Sequence, residues 1–166
     1  MIFLTFDIDW VDDFVLEETI SILDKYNLKA TFFATHKSSL LTNLNKEIYE
    51  IGLHPNFDLG NGCYSLNSIN ELKAIYPNAL GTRSHCLFFS SRFLNTLEKC
   101  KIRYESNIFL LDHLELHPTQ KSKSILSIPF NWSDDKHIEF EREFNIFNMP
   151  NLLQTGLNVF NFHPIH

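Results

Sequence analysis

The sequence is poor in the features that mark several common protein classes. Its 166 residues hold three cysteines, Cys63, Cys86 and Cys100, an odd number with no C-x-x-C pair. Neither a disulfide framework nor a zinc ribbon is indicated, and reduced thiols are expected. Basic residues are in the minority, 14 Lys and Arg against 20 Asp and Glu, for a formal charge of -6. With no basic run, the electrostatic footprint of a nucleic-acid partner is missing. No apolar run approaches the roughly 18 to 20 residues of a membrane span, and Met1-Ile2-Phe3-Leu4 lacks the basic n-region and cleavage site of a signal peptide. A cytoplasmic protein without membrane insertion is the expectation. Repeats, linkers and low-complexity stretches are missing too. A chain of 166 residues at 44% hydrophobic suits one core rather than two, so a single domain over 1–166 is expected, and nothing speaks for or against an oligomer.

What the sequence has in abundance is phenylalanine, 16 residues in all, which implies an aromatic interior or a ligand groove. Ile2 to Ile8 is an aromatic and β-branched run that reads as a buried strand, and it carries Asp7 with Asp9 just beyond. Residues two apart on a strand share a face at roughly 7 Å. Two like charges so placed call for a partner, and the economical one is a bound cation that takes one carboxylate as a ligand and leaves the other to act as a base. The alternative is that Asp9 caps the next helix, or that both acids face water.

Further along, elements alternate in type. Asp12 to Tyr26 has apolar residues at helical spacing, with acids in the early turns where they suit the helix dipole. Ala30 to Thr35 reads as a second strand and Ile51 to His54 as a third. Ser68-x-x-Glu71 is a capping-box pattern opening a helix to about Tyr76, stopped by Pro77. Ala79 to Arg83 is a fourth strand and Ser91 to Lys101 a helix. Ile102–Tyr104, Ile108–Leu111, Ile125–Phe130 and Asn158–Phe162 read as later strands. Such repeating units indicate a parallel α/β sheet or barrel.

The polar residues then fall in a pattern. Asp7 and Asp9, His36, His54, Arg83 with His85, and His163 each follow a different expected strand, and in parallel α/β folds that edge carries the site. Each alone has an ordinary structural explanation, but their coincidence at one edge is harder to explain without a site.

The segments Thr5-Phe6-Asp7-Ile8-Asp9-Trp10, Ile51-Gly52-Leu53-His54-Pro55-Asn56-Phe57, Thr82-Arg83-Ser84-His85 and Asn161-Phe162-His163-Pro164-Ile165-His166 resemble the ordered motifs of the polysaccharide deacetylase, or NodB-homology, superfamily, in its WbmS-like branch. Ala30 to His36 and Ile128 to Asp135 fit as well. The resemblance implies a distorted (β/α)7-type barrel of mainly parallel strands. It also implies one divalent metal ion, usually zinc, and removal of acetyl groups from an N-acetylated carbohydrate, here a precursor of a bacterial surface polysaccharide.

Carried over by position, the resemblance makes Asp7 the base, Asp9 and His54 metal ligands, Arg83 the group that orients the base, and His163 the general acid. Trp132 would line the acetyl pocket, and His36, Asn56 and His85 would face the substrate. The family's second motif is His-x-x-x-His, but the fourth residue after His54 is Asp58. In the branch resembled, the second histidine comes later, in the following loop, and there Gly60–Tyr64 offers Cys63 as the third ligand. A thiolate is a competent zinc ligand; Asp58, Asn56 and His36 are other donors in reach. His113 and His117 are placed on the rim, and His137 is expected to face solvent. Because the sequence ends on a motif, and complete barrels of this kind typically need about 200 residues or more, the barrel is expected to be open or cut short.

Overall fold

A computed structural model describes residues 1–61, 63–145 and 156–166. Its strands are β1 (Ile2–Asp7), β2 (Ala30–Ala34), β3 (Tyr49–Leu53), β4 (Asp58–Gly60), β5 (Cys63–Tyr64), β6 (Gly81–Thr82), β7 (Tyr104–Glu105), β8 (Thr119–Gln120), β9 (Leu126–Ser127), β10 (Trp132–Ser133) and β11 (Asn158–Phe162). The α-helices are α1 (Asp13–Lys25), α2 (Ser39–Asn43), α3 (Asn67–Ile75), α4 (Leu94–Lys99) and α5 (Asp134–Glu139).

Nine strands form one sheet in the order β10-β11-β1-β2-β3-β6-β7-β9-β8. Every pairing in it is parallel except β8 with β9. The sheet is curled into a half-barrel, the incomplete form of the expected barrel. β4 and β5 make a separate antiparallel hairpin, where a loop was expected.

Alternation along β1 explains the two faces. Phe6 and Ile8 pack outward with Phe32, Leu16, Leu23, Leu41, Ile69, Leu72 and Leu97, so the helices cover that side with one continuous core. Thr5 and Asp7 point the other way, into the barrel. α1 forms as its spacing predicts, with Leu16 and Leu23 buried. α3 begins one residue before the expected cap, so Ser68 lies inside it and its hydroxyl is buried without a hydrogen-bond partner. The expected helix from Ser91 divides into a 3-10 turn, Ser91–Phe93, and α4.

Two expected strands are much reduced. Ile108–Leu111 keeps only an isolated bridge, Phe109 to Phe130, and Ile125–Phe130 keeps β9 and the other side of that bridge. Pro129 has no N–H to give a ladder. Among the described residues, no helix is long and apolar enough to cross a membrane.

Register places the chemistry. Asp7 ends β1, His54 follows β3, Arg83 follows β6 and His163 follows β11. Since these strands run parallel, all four side chains arrive at one edge. The ladder continues past the strands at this edge, with His54 N donating to Ala34 O at 2.8 Å and Arg83 N to Leu53 O at 2.9 Å.

Candidate active site

Arg83 and Asp7 are both buried, at 0% and 3% exposure. Burying the pair is tolerable only because each polar atom is matched. Arg83 Nη1 donates to Asp7 Oδ1 at 3.1 Å and Thr5 Oγ1 at 3.0 Å, and also to Asn161 Oδ1. Its Nε and Nη2 donate to the Ser106 carbonyl and hydroxyl, each at 2.9 Å. The rings of Phe33 and Phe130 lie 4.6 and 4.4 Å from the guanidinium carbon. Asn161 Nδ2 donates to Asp7 Oδ2 at 2.8 Å, so both carboxylate oxygens are held.

Asp9 leaves the strand in a tight turn. Val11 N donates to Ile8 O at 2.9 Å, and the two residues between, Asp9 and Trp10, have φ of 37° and 58°. Positive φ at both central positions marks a type I′ turn, which glycine, asparagine and aspartate favour. Elsewhere in proteins such strain costs about 1–3 kcal/mol per residue and gathers at functional sites. The turn brings Asp9 Oδ1 to 3.2 Å from His54 Nε2 and 3.4 Å from His85 Nδ1.

Asp9 Oδ1 is nonetheless buried without a hydrogen bond, as is His54 Nδ1, which faces Asp7 Oδ1 at 3.6 Å. One carboxylate and two imidazoles, with ligand atoms all within 4.8 Å of one another, form a donor set suited to zinc with a position left open. The orphaned Asp9 oxygen is what a ligand waiting for a cation would leave. Burial pushes the Asp9 carboxyl up, but the His54 and His85 imidazoles and the charge of His163 outweigh it and hold the group well below the usual carboxylate range. The His85 imidazole is in turn raised, chiefly by Asp9 and against burial.

The third side chain of this cluster is His85, and the expected Cys63 is not part of it. Cys63 is exposed and sits on the β4–β5 hairpin opposite Gly60, outside this cluster. His85 was expected to face substrate. It is turned toward Asp9 by the 3-10 turn His85–Leu87, in which Cys86 and Leu87 each have φ of 54°. The sequence pattern does not announce that turn.

His163 stands across the cleft, its Nε2 4.0 Å from Asp7 Oδ2 and 3.9 Å from Asp9 Oδ2. Asp134 fixes its other side: His163 N donates to Asp134 Oδ2 at 2.6 Å, and Nδ1 lies 2.7 Å from Oδ1. Burial alone would lower the His163 pKa, but Asp134 above all, then Asp7 and Asp9, push it up to about 9. Neither Asp134 nor Asn161 was singled out from the sequence. The available signal was the same for both: a polar side chain within or directly after an apolar strand.

Asp7, Asp9, His54, His85, Asn161 and His163 line a cleft of about 170 Å³ together with Ser84, Cys86, Ser133, Asp135, Lys136 and an apolar wall of Leu87, Phe109 and Phe130. Three residues expected at the substrate are not among its walls. His36 Nδ1 is bonded to Thr35 Oγ1 at 2.9 Å, and Asn56 Oδ1 accepts from Asp58 N at 3.0 Å in a local turn. Trp132 is buried at 4% exposure against Phe160, Phe162 and His137, so the aromatic wall is Phe109 and Phe130 instead. His137 is buried rather than solvent-facing, with Nε2 2.7 Å from Glu143 O. His113 and His117 border a different hollow, with Leu110 and Pro129.

Comparison with known proteins fits this geometry. The protein from Bordetella bronchiseptica described as a polysaccharide deacetylase involved in O-antigen biosynthesis superposes with a TM-score of 0.90 at 34% identity, over 99% of this chain and 72% of that one. A polysaccharide deacetylase from Mycobacterium smegmatis (TM-score 0.59, 17% identity, 98% and 76% coverage) shares the fold. So does the 4-alpha-glucanotransferase of Thermococcus litoralis (0.61, 14%, 98% and 32%). No curated protein matches the sequence. A family model for WbmS-like polysaccharide deacetylases matches residues 4–166, and the chain belongs to that family, hydrolases that act on amide bonds.

Proposed function

We propose that this protein removes the acetyl group from an N-acetylated sugar during the making of a surface polysaccharide, with a divalent metal ion, zinc by its donor set, held by Asp9, His54 and His85. The observation that carries the reading is the buried Asp9 Oδ1, which has no hydrogen bond yet lies 3.2 and 3.4 Å from two imidazole nitrogens. When bound there, such an ion supplies a Lewis acid for the acyl oxygen and lowers the pKa of a coordinated water.

The chain's own residues divide the proton work. Asp7 accepts a proton from the attacking water. Arg83 and Asn161 keep its carboxylate fixed for that transfer. His163, protonated at neutral pH by its pairing with Asp134, gives a proton from Nε2 to the departing amine nitrogen. Acetate and the free amino sugar leave. Acid and base roles of this kind are each worth about a hundred- to ten-thousand-fold. Leu87, Phe109 and Phe130 provide the apolar surface on which the acetyl methyl rests.

The test is acetate release from N-acetylated hexosamines, free, nucleotide-linked and oligomeric, by the zinc-loaded protein, with phosphate release from phosphate esters measured alongside. Acetate from at least one sugar and no phosphate is the expected result. Phosphate without acetate would overturn the assignment.

A further inference from the structure

We propose that Trp10 is a stacking platform for the pyranose ring of the substrate at the mouth of the cleft, an assignment that rests on the deacetylase reading above.

Backbone conformation is the first ground. Trp10 occupies the second central position of the Ile8–Val11 turn with φ of 58°, where a bulky side chain is a genuine outlier. The conformation is enforced by Val11 N on Ile8 O at 2.9 Å and by Trp10 N on Thr35 Oγ1 at 3.0 Å. Delivering Asp9 to the imidazoles requires this turn, but it does not require an indole. Glycine would fit the position with less strain.

Packing does not account for the indole either. The side chain is 48% exposed, and its ring contact among the described residues is with His85, centroids 5.0 Å apart and planes at 75°. A large aromatic on a strained backbone and half in water gains little for the fold.

Size supplies the third ground. The cleft holds about 170 Å³, below the roughly 300–1,000 Å³ of pockets that enclose whole small molecules. It accommodates the acetamido group while the sugar ring lies across the rim. His85 lines the cleft and Trp10, outside the lining itself, packs on His85, which sets the indole next to that rim. The C–H face of a pyranose suits the electron-rich face of an aromatic ring, and a tryptophan fixed by its backbone presents that face at low entropic cost.

The test combines binding and turnover. Tryptophan fluorescence of wild type and Trp10→Phe is titrated with N-acetylated hexosamines and their trisaccharides; the other tryptophan, Trp132, is buried at 4% exposure. A saturable change in wild type that is lost in Trp10→Phe is expected. Turnover is then compared for wild type, Trp10→Phe and Trp10→Gly. The glycine variant is expected to raise KM for the sugar at least tenfold while kcat falls less than threefold, with a melting temperature at or above wild type; phenylalanine restores most of the affinity. An identical fluorescence response in Trp10→Phe, no response in wild type to any sugar, or an unchanged KM in Trp10→Gly each overturns the proposal. Binding at Trp10 without acetate release would instead retain the platform and sink the deacetylase reading.

Discussion

Asn161 donates its side-chain amide to Asp7 Oδ2 at 2.8 Å, although 154 residues separate the two in sequence. The contact follows from parallel pairing of β11 with β1, which sets Asn161 opposite Thr5. The same asparagine accepts from Arg83 and from Thr5. It therefore completes a cage around a buried carboxylate that would otherwise keep one oxygen free to rotate.

Replacing it tests whether that cage serves the chemistry. Asn161→Ala is expected to lower kcat by about 100-fold, the scale of a 1 Å misplacement of a reacting group, while zinc content stays at the wild-type level. Acetate release and elemental analysis on the same preparation check both halves. Full activity in this variant would remove Asn161 from any positioning role.

Arg83 has a larger structural share. Its removal as Arg83→Met strands the Asp7 carboxylate in the interior, and breaking one side of a buried pair typically costs about 3–5 kcal/mol. The double variant Asp7→Asn/Arg83→Met, in which no charge is left uncompensated, is expected to recover a good part of that loss. Urea unfolding of the four proteins measures the coupling. Equal stability of the single and double variants would argue against the pair as the source of the penalty.

How far the site was legible follows from these contacts. Asp7, Asp9, His54, Arg83 and His163 follow or end strands whose apolar runs are plain in the sequence, and parallel pairing carries them to one edge without further information. His85 and Cys63 needed more. Which of them reaches Asp9 depends on two short backbone events, the 3-10 turn with φ of 54° at Cys86 and Leu87 and the β4–β5 hairpin that holds Cys63 outward. The 3-10 turn has no glycine or proline to announce it, and although Gly60-Asn61-Gly62 marks a reversal before Cys63, it does not say which way the thiol faces. Trp132 lies outside the cleft for another reason: strand alternation turns it into the packing of Phe160 and Phe162, which its place beside a motif does not reveal. The short strands β6, β7 and β9 were placed but overextended, because an apolar run marks burial and not the length of a ladder, and β10 lies beyond the end of the strand expected at Ile125–Phe130.

The ligand set separates His85 from Cys63 directly. Asp9→Asn, His54→Ala and His85→Ala are each expected to weaken zinc binding at least tenfold, whereas Cys63→Ser and Asp7→Asn keep it. Competition with a chromogenic chelator gives the affinities, and no turnover is needed. If Cys63→Ser loses zinc and His85→Ala does not, the third ligand comes from the hairpin after all. Loss in Asp7→Asn as complete as in Asp9→Asn would make Asp7 a ligand rather than the base.

The pairing of His163 with Asp134 sets a pH dependence whose sign can be worked out. A general acid must carry its proton, so turnover falls as pH rises through the His163 pKa, which lies at about 9. Burial opposes that value and Asp134 contributes most to overcoming it. In Asp134→Asn the alkaline limb of kcat is therefore expected to move down, toward the ordinary value of 6.5. Stability follows the same direction. A pKa raised in the folded state makes the pairing's contribution complete below 6.5 and lost progressively as pH climbs through about 9, and the asparagine variant should lack that decline. Turnover and melting temperature followed from neutral to alkaline pH test both. An alkaline limb that stays in place in Asp134→Asn assigns it to a group other than His163, and the proton for the departing amine must then come from elsewhere in the cleft.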